Sequence, residues 1–332
     1  MLYLEGAEHR ERRRSAARFF TPKAVASYET MIDDLTHKQI APLVRGRRAD
    51  VSQMSLQLSV AVVARVVGLT SSVLPGKSRR IEATFTANLT ADGPAPLALL
   101  RRLCTVVAVL LFYLVDVLPA IRTRRRRPGN DLITHLLDVG LRPLEVLTEC
   151  IIYCAAGMAT TREHITIAAW HLLDCPDLLT RFRTGAHAER AAVLQEILRL
   201  EPVVGHLYRQ VTAPTPVLVD GSPTVLDEGT LIDFDLRAIN ADVQLVGAEP
   251  LALRPGRVLT SRRAAPSVMS FGDGNHRCPG GPLAMLESEI FLDRLLALDL
   301  IVDQTPKIAW NDLTGGYELR ELVVRQTRQD ET

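Results

Sequence analysis

The sequence is short of aromatic side chains, at 5%, and almost without net charge, at +1 over 332 residues. A chain without an excess of either sign gives no electrostatic reason to bind nucleic acid. The arginine run at residues 122–127 is a local feature and does not alter that expectation. Hydrophobic residues still make up 47% of the chain, which is enough to bury a substantial core.

Cysteine is scarce as well, with five residues at irregular spacing. An odd number without a regular framework argues against a secreted disulfide scaffold and favours a reducing compartment. The N-terminal segment is charged from residue 5 onward and lacks the apolar stretch of a signal peptide. A cytoplasmic protein is therefore predicted.

One long apolar run is present, the thirteen residues from Leu103 to Val115, and the arginine run follows it. Apolar length next to a basic cluster resembles a membrane span with its cytosolic flank. The alternative is a buried helix that ends at Pro119 before a solvated basic turn. Because thirteen residues are too few for a typical span, the buried helix is the prediction and no membrane span is expected.

Most of the chain has helical periodicity, and strand-like segments with turn residues lie at 206–237 and 318–327. No internal repeat or low-complexity linker divides it, so we predict one domain, mostly α with small β-sheets (α+β). Within 1–332 this domain has a helical region at 1–205, a β-rich region at 206–240, an irregular region with a glycine-rich loop at 241–281, and a final helix with strands at 282–332. Helices are predicted at 5–19, 22–45, 51–66, 97–118, 130–138, 142–184, 187–200 and 282–298.

The glycine-rich loop, FGDGNHRCPGGP at 271–282, concentrates its chemistry around Cys278. Its glycines permit a tight turn, and Gly280 and Gly281 can donate backbone N–H groups to the sulfur, whereas Pro279 has none. The dipole of a helix beginning after the loop, together with Arg277, favours a thiolate. A thiolate held in this way is a soft ligand suited to iron. The alternative is a structural cysteine beside a glycine turn.

Several positions of this loop match the haem-binding loop of the cytochrome P450 superfamily, and the sequence resembles that family from His9 to about Val324. The resemblance implies a cytochrome P450-like fold, heme b (iron protoporphyrin IX) as cofactor, and Cys278 as the thiolate ligand of its iron. The matching residues are Phe271, Gly272, Gly274, His276, Cys278 and Gly280.

Glu196 and Arg199 are three residues apart on a predicted helix, where side chains at this spacing meet. Alone they indicate no more than a surface ion pair. The resemblance makes them the Glu-x-x-Arg pair of the family, whose third partner is an arginine before the cysteine loop. Arg257 is the predicted partner, with Arg254 as the alternative, in a triad that stabilises the fold.

Gly157 lies inside a long predicted helix, in the segment 155–161 (AAGMATT), where glycine lowers helix propensity and needs a reason. By resemblance, Gly157 opens a groove for oxygen and Thr160 organises proton delivery to it. The alternative is a small-residue patch where two helices pack closely.

The acid that usually precedes this threonine in the family is replaced by Ala159. Glu163, one helical turn later, is a candidate to substitute for it in relaying protons. Otherwise Glu163 pairs with Arg162 or Arg199 and has no catalytic role.

Four basic residues are expected, by resemblance, to bind the haem propionates. His9 and Arg13 match a His-x-x-x-Arg helix of the family, and Arg209 and His276 stand at two further propionate positions. Arginine suits this task because its planar fork binds carboxylates in pairs of hydrogen bonds. For His9 and Arg13 the alternative is a solvated basic helix face.

The sequence has no counterpart of the helices, first sheet strands and pocket-capping loop that precede the propionate helix in the family. The fold is therefore expected to lack the N-terminal helices and first strands, with unpaired sheet edges around 206–237 and an open pocket. A misassigned start, a truncated remnant and a shortened haem protein are the explanations left open.

The leading functional hypothesis is a monooxygenase that inserts one oxygen atom of O2 into a small apolar organic substrate. The sequence has no G-x-G-x-x-G after a strand and no CxxC cluster, so electrons are expected from NAD(P)H through a ferredoxin and ferredoxin reductase or a similar redox partner. The alternatives are a truncated haem-binding protein with little turnover and a peroxide-driven or oxidative coupling haem enzyme.

Overall fold

The computed structural model describes residues 5–86, 95–219, 221–261, 264–312 and 314–327. It is mostly helical with small antiparallel sheets, which confirms the predicted fold class. The helices are α1 (Gly6–Ala17), α2 (Pro22–Ala26), α3 (Glu29–Val44), α4 (Val51–Val67), α5 (Lys77–Thr86), α6 (Ala95–Phe112), α7 (Leu118–Arg126), α8 (Leu132–Asp138), α9 (Pro143–Asp174), α10 (Pro176–Thr184), α11 (His187–Leu200), α12 (Leu236–Asn240), α13 (Val243–Val246) and α14 (Gly281–Leu296).

The strands are short, and all their pairings are antiparallel. One sheet has three strands in the order β1-β9-β6, and the pairs β2-β5, β3-β4 and β7-β8 form three further sheets. The strands are β1 (Ala49–Asp50), β2 (His206–Gln210), β3 (Thr215–Val219), β4 (Ser222–Leu226), β5 (Leu231–Asp235), β6 (Leu300–Gln304), β7 (Lys307–Asn311), β8 (Gly316–Arg320) and β9 (Val323–Gln326).

Helices are present at all eight predicted positions, although two of the predicted helices are divided. The segment 142–184 breaks at Cys175, because Pro176 begins α10 and has no N–H to continue the hydrogen-bond ladder of α9. The segment 22–45 is divided between α2 and α3. Helix α5 was not predicted from the sequence.

Helix α9 lies at the centre of the core. It begins at Pro143, and proline costs no hydrogen bond there because the N–H groups of the first turn have no partner within the helix. The Glu145 carboxylate accepts a hydrogen bond from the Arg142 N–H at 2.8 Å. Helix α4 packs along α9, and α10, α11 and α14 also contact it. This packing fixes the position of the segment that carries the predicted oxygen groove.

The apolar run does not form the predicted buried helix. Helix α6 continues through a π-helical segment (Tyr113–Val117) into α7, so the chain stays helical past Pro119 as far as Arg126. Pro119 is tolerated because it falls in the first turn of α7, where its missing N–H is not needed. One side of α6 is exposed rather than buried.

Two described helices are long and apolar enough to meet the criteria for a membrane span. One is the core helix α9. The other is Arg102–Arg126, which joins most of α6 to α7, and 39% of its apolar 18-residue window is buried. Length and composition alone cannot separate a span from a core or surface helix.

The β2-β5 ribbon pairs with no other described strand. Unpaired sheet edges are the expectation from the sequence for this region. Tyr208 on β2 and Leu231 on β5 are 55% and 65% exposed. Apolar side chains on so small a sheet are left open to solvent.

Candidate functional site

Cys278 lies in the loop between a short 3-10 turn (Gly274–His276) and α14. Gly272 and Gly274 have φ values of +66° and +65°, a backbone region that glycine adopts without a steric penalty. The backbone N–H of Cys278 donates to the carbonyl of Phe271 at 2.8 Å and closes the loop. The two glycines therefore allow the tight turn that presents the cysteine.

The Cys278 residue is exposed, yet the protein packed around its loop still desolvates the thiol. Desolvation raises the pKa of Cys278, while N–H groups of Gly280 and Gly281 and the charges of Arg13 and Arg277 act to lower it. A metal cation at the sulfur would favour the thiolate. An accessible sulfur with two backbone donors fits the ligand of a haem iron.

Phe271 and Gly281 meet on the inner side of the loop. A Cβ on Gly281 would lie 3.3 Å from the Phe271 ring, and one on Gly280 would lie 4.0 Å from the Cys278 sulfur. A side chain at Gly281 would therefore push against the ring.

Helix α1 brings two of the predicted propionate ligands to this loop. The His9 ring is buried and stacks on His276 with 4.1 Å between ring centroids. The Arg13 guanidinium donates to the Arg277 carbonyl, and a ring nitrogen of His276 lies 3.1 Å from a carboxylate oxygen of Glu5. His9, Arg13 and His276 thus gather beside Cys278.

Burial, His276 and Arg13 all lower the pKa of His9, which Glu5 raises in part. The Arg13 guanidinium and the ring nitrogens of the two histidines can all donate hydrogen bonds to an anion placed among them. The donor set therefore fits the carboxylates of a haem.

Arg209 stands apart from this group. It is exposed on β2, and its guanidinium donates to the neighbouring Tyr208 carbonyl at 2.8 Å. Among the described residues, no hydrogen bond or ion pair joins Arg209 to His9, Arg13 or His276. The structure brings together three of the four predicted propionate residues.

Glu196, Arg199 and Arg257 form a buried cluster at the end of α11. Arg199 donates two hydrogen bonds of 2.8 Å to the Glu196 carboxylate, and Arg257 donates one of 3.1 Å. The other guanidinium donors of Arg257 bind four backbone carbonyls between residues 246 and 252. The cluster therefore holds the irregular segment against α11.

Arg254, the alternative partner, contributes only its backbone N–H, at 3.0 Å from the Glu196 carboxylate. Its side chain pairs with Glu249 at the surface. Burial alone would raise the pKa of Glu196, but the donors from Arg199, Arg254 and Arg257 outweigh it and lower that pKa.

Gly157 and Thr160 lie near the middle of α9. A Cβ on Gly157 would approach a methyl group of Val63 on α4 to 3.2 Å, so close helix packing is itself a reason for this glycine. The Thr160 hydroxyl donates to the Ala156 carbonyl at 2.5 Å. Ala156 is exposed and Thr160 is half-buried, which places this hydroxyl near an open part of the helix surface.

Glu163 is not a free carboxylate. Arg320 on β8 donates two hydrogen bonds of 2.8 Å to it, and Arg162 donates a third of 3.0 Å. The Glu163 side chain is 3% exposed. These contacts favour the ion-pair alternative over proton relay, with Arg320 rather than Arg199 as the second arginine.

Comparisons with known proteins agree with this site. A family model described as Cytochrome P450 matches residues 191–299, which include the Glu196 cluster and the cysteine loop. Cytochrome P450 107B1 of Saccharopolyspora erythraea is 27% identical over 98% of this chain and 76% of its own length. Erythromycin C-12 hydroxylase of the same organism is 27% identical over 89% of this chain and 71% of its own.

The family model, the curated relatives and the solved structures all support a cytochrome P450 superfamily member of bacterial type. Among solved P450 structures, P450BioI in complex with a fatty-acyl-ligated acyl carrier protein has a TM-score of 0.80, with 23% identity, 98% of this chain covered and 82% of that one. P450 OxyD, involved in the biosynthesis of vancomycin-type antibiotics, has a TM-score of 0.75, with 26% identity, 98% of this chain covered and 78% of that one. These relatives, which are named cytochrome P450s and include a hydroxylase, support haem as the cofactor and monooxygenation as the class of reaction.

Two buried titratable groups of this P450 were not predicted from the sequence. His164, next to Glu163 on α9, is 4% exposed, neither ring nitrogen has a hydrogen-bond partner among the described residues, and burial lowers its pKa to about 4. Glu287 on α14 accepts a hydrogen bond of 2.7 Å from Ser59, and burial raises its pKa to about 8. Neither residue belongs to a spacing pattern that would single it out.

Proposed function

We propose that Cys278 is the thiolate ligand of the haem iron and that this P450 inserts one oxygen atom of O2 into a small apolar organic substrate. The observation that carries the proposal is an exposed Cys278 residue whose sulfur has backbone donors from Gly280 and Gly281, beside the Arg13 guanidinium and the stacked His9 and His276 rings, which suit the propionates. A thiolate-ligated haem, when bound, supplies the activation of dioxygen. The residues of the chain would bind the haem and guide protons near it.

His9, Arg13 and His276 would bind the propionates. Arg209 is a further proposed ligand, and its guanidinium would have to give up its hydrogen bond to the Tyr208 carbonyl. Phe271 and Gly280 shape the loop around the sulfur. Glu196, Arg199 and Arg257 keep the segment before the cysteine loop in place and do not touch the reacting atoms.

Thr160 is proposed as the residue that guides protons on the distal side, with Gly157 leaving room for oxygen. The threonine hydroxyl now donates to Ala156, so it is oriented to accept a hydrogen bond from water on its other side. Ala159 has no carboxylate, and the Glu163 carboxylate is occupied by Arg162 and Arg320. Water is therefore the proposed proton source at Thr160.

The substrate class and the electron source are proposed from the chemistry of the haem and from the names of similar proteins. One relative is named as a hydroxylase of erythromycin, and a neighbouring structure, CYP109E1 from Bacillus megaterium, holds testosterone. A small apolar organic molecule is the corresponding proposal here. Electrons would come from NAD(P)H through a ferredoxin and ferredoxin reductase or similar partner in the cytoplasm.

An absorbance spectrum of the reduced protein with carbon monoxide tests the ligand. A Soret band shifted far to the red is expected for the wild type, and Cys278→Ala should abolish it because the thiolate is gone. Cys175→Ala is the matched control, since Cys175 is also an exposed free cysteine. A red-shifted band that survives Cys278→Ala would rule out this ligand.

A second candidate is a peroxide-driven enzyme, and it is favoured by Ala159 in place of the acid and by the pairing of Glu163 with Arg162 and Arg320. Hydrogen peroxide supplies both oxygen and electrons, so proton relay to dioxygen is not needed. Product formation with ferredoxin, its reductase and NADPH should be compared with product formation from peroxide alone. Turnover only with peroxide would support the second candidate, and no turnover with either would indicate a haem-binding protein with little activity.

A further inference from the structure

The exposed side of α6 and of the first residues of the π-helical segment is apolar over three helical turns. Six side chains there, at the spacings of one helix face, are 46% to 55% exposed. We call them the apolar stripe. They are Leu103, Val106, Val107, Leu110, Leu111 and Leu114.

The opposite face of this helix is packed. Ala108, Phe112 and Val115 are buried, and α6 lies against α5. The helix is therefore held to the protein on one side, while about half of each stripe side chain stays exposed on the other. Leu103, Val107 and Leu111 also border a groove beside α5. Contiguous apolar surface of this kind marks an interaction site in soluble proteins.

The exposed charged residues in the part of the chain that carries the stripe are all basic. Between residues 93 and 130 the sequence has one acidic residue, Asp116, which is fully buried and bound by Arg80 at 2.7 Å and 2.9 Å. Arg122, Arg125 and Arg126 on α7 are exposed and form no ion pair with a described residue. Arg102 is exposed at the other end of the stripe.

The π-helical segment brings the arginines round to the stripe. A π turn contains one residue more than an α turn. The eight-residue step from Leu114 to Arg122 across this segment is therefore equivalent to seven residues of regular helix, which returns to nearly the same face. The burial pattern agrees, because Ala120 and Ile121 point inward while Arg122 is exposed.

We propose that the apolar stripe and the arginines of α7 dock this protein on the surface of an anionic lipid bilayer. The apolar side chains would enter the boundary of the acyl chains while the guanidinium groups bind lipid phosphates. A span is excluded by the packing of α6 on α5 and by the buried ion pair between Arg80 of α5 and Asp116 of the π-helical segment. The inference does not depend on the proposed function of Cys278.

A second copy of the chain is a poorer occupant of this surface. Both ends of the stripe carry exposed arginines, and the exposed part of the helix has no carboxylate to receive them. Two stripes laid together in either direction would bring like charges together, which costs affinity. A surface of lipid phosphates removes that repulsion.

Sedimentation of the haem-loaded protein with vesicles tests the docking. Vesicles of phosphatidylglycerol and phosphatidylcholine should carry the protein down, and pure phosphatidylcholine should do so much less. Raising the salt concentration should weaken the binding, because the phosphate contacts are screened. Equal binding to both vesicle types, or none to either, would overturn the proposal.

Two sets of variants locate the contact. The triple variant Leu103→Ser/Val107→Ser/Leu110→Ser should reduce vesicle binding at least about tenfold. The control is Leu218→Ser/Leu251→Ser/Val258→Ser, which changes three apolar residues elsewhere that are 73% to 89% exposed. The control should leave vesicle binding unchanged. Arg125→Ser/Arg126→Ser should reduce binding about fivefold per arginine, unlike the exposed pair Arg45→Ser/Arg47→Ser.

The haem spectrum of each variant checks that it folds, and size-exclusion chromatography checks its oligomeric state. A dimer that the stripe variant dissociates would mean that a second copy covers this face and would overturn the proposal. Undiminished vesicle binding by the stripe or α7 variants would do the same.

Discussion

Arg320 of β8 donates two hydrogen bonds of 2.8 Å to the Glu163 carboxylate of α9, although the two residues are 157 positions apart. The carboxylate is buried and also accepts from Arg162. A carboxylate held in this way fastens the C-terminal strands to the core helix. It is not available to carry protons to the distal side.

Glu163→Gln should lower the free energy of unfolding by about 3 kcal/mol. It removes the buried counter-ion of Arg320 and Arg162 and leaves them only their more exposed partners, Glu318 and Glu82. Glu318→Gln is the matched control, since Glu318 binds the same Arg320 from a position that is 25% exposed, and should cost less than about 1 kcal/mol. Urea unfolding measures both. A variant with unchanged stability but less product formed per NADPH consumed would return Glu163 to a proton-relay role.

Arg257→Ala should be far more destabilising than Arg254→Ala. Arg257 is 6% exposed and binds both Glu196 and the segment at 246–252, so its removal leaves a buried carboxylate with fewer donors. A loss of about 3 kcal/mol in the free energy of unfolding is expected, against less than about 1 kcal/mol for the exposed Arg254. Similar losses in urea unfolding for the two variants would contradict the arrangement around Glu196.

Glu287→Gln should change how stability depends on pH. In the unfolded chain this carboxyl ionises near pH 4.5, whereas burial raises its folded pKa to about 8. The folded state therefore holds a proton that the unfolded state has lost, and stability falls by about 1.4 kcal/mol per pH unit as pH rises through this range. Glutamine mimics the protonated form, so the variant should lose this part of the decline.

Thermal or urea unfolding at several pH values between 5 and 8 checks this expectation, with the exposed Glu228→Gln as control. The pH profile of Glu228→Gln should follow that of the wild type. A Glu287→Gln profile with the same slope as the wild type would show that the buried carboxyl is already ionised in the folded protein.

His164→Leu should make the protein more resistant to acid. The unfolded imidazole takes up a proton near pH 6.5, while the buried ring stays neutral to about pH 4. Stability from this group is complete above pH 6.5 and is lost as pH falls towards 4, by up to about 3 kcal/mol. Leucine also removes two buried ring nitrogens without described partners.

The measurement is urea unfolding between pH 4 and 7, with the exposed His37→Leu as control. His164→Leu should show a shallower loss of stability below pH 6.5 than either the wild type or the control. A lower stability of His164→Leu at pH 7 would instead indicate that the ring binds internal water that leucine cannot replace.

The cysteine loop and the Glu196–Arg199 pair could be predicted because their members are close in sequence. Glycines at 272 and 274, the proline at 279 and a following helix specify the loop locally, and a three-residue spacing on one helix brings the pair together. The same holds for most helices, whose periodicity is a local property. Arg257 was predicted as the third partner only through the resemblance to the family.

Other features were decided by the tertiary structure. The apolar run predicts a buried helix on its own, but burial depends on what packs against it, and α6 packs on α5 with one side only. Gly157 is compatible with an oxygen groove and with helix packing, and the 3.2 Å approach of Val63 becomes apparent only in the fold.

The sequence alone determined the chemistry that this protein offers: one thiol on a glycine-rich loop, a set of basic residues and a helix with Thr160 but no acid before it. Only the tertiary structure decided which charges meet. Arg320 reaches Glu163, and Ser59 reaches Glu287, across more than 150 residues. Such partners share no spacing in the sequence, because their contact is set by how the helices and sheets pack around α9.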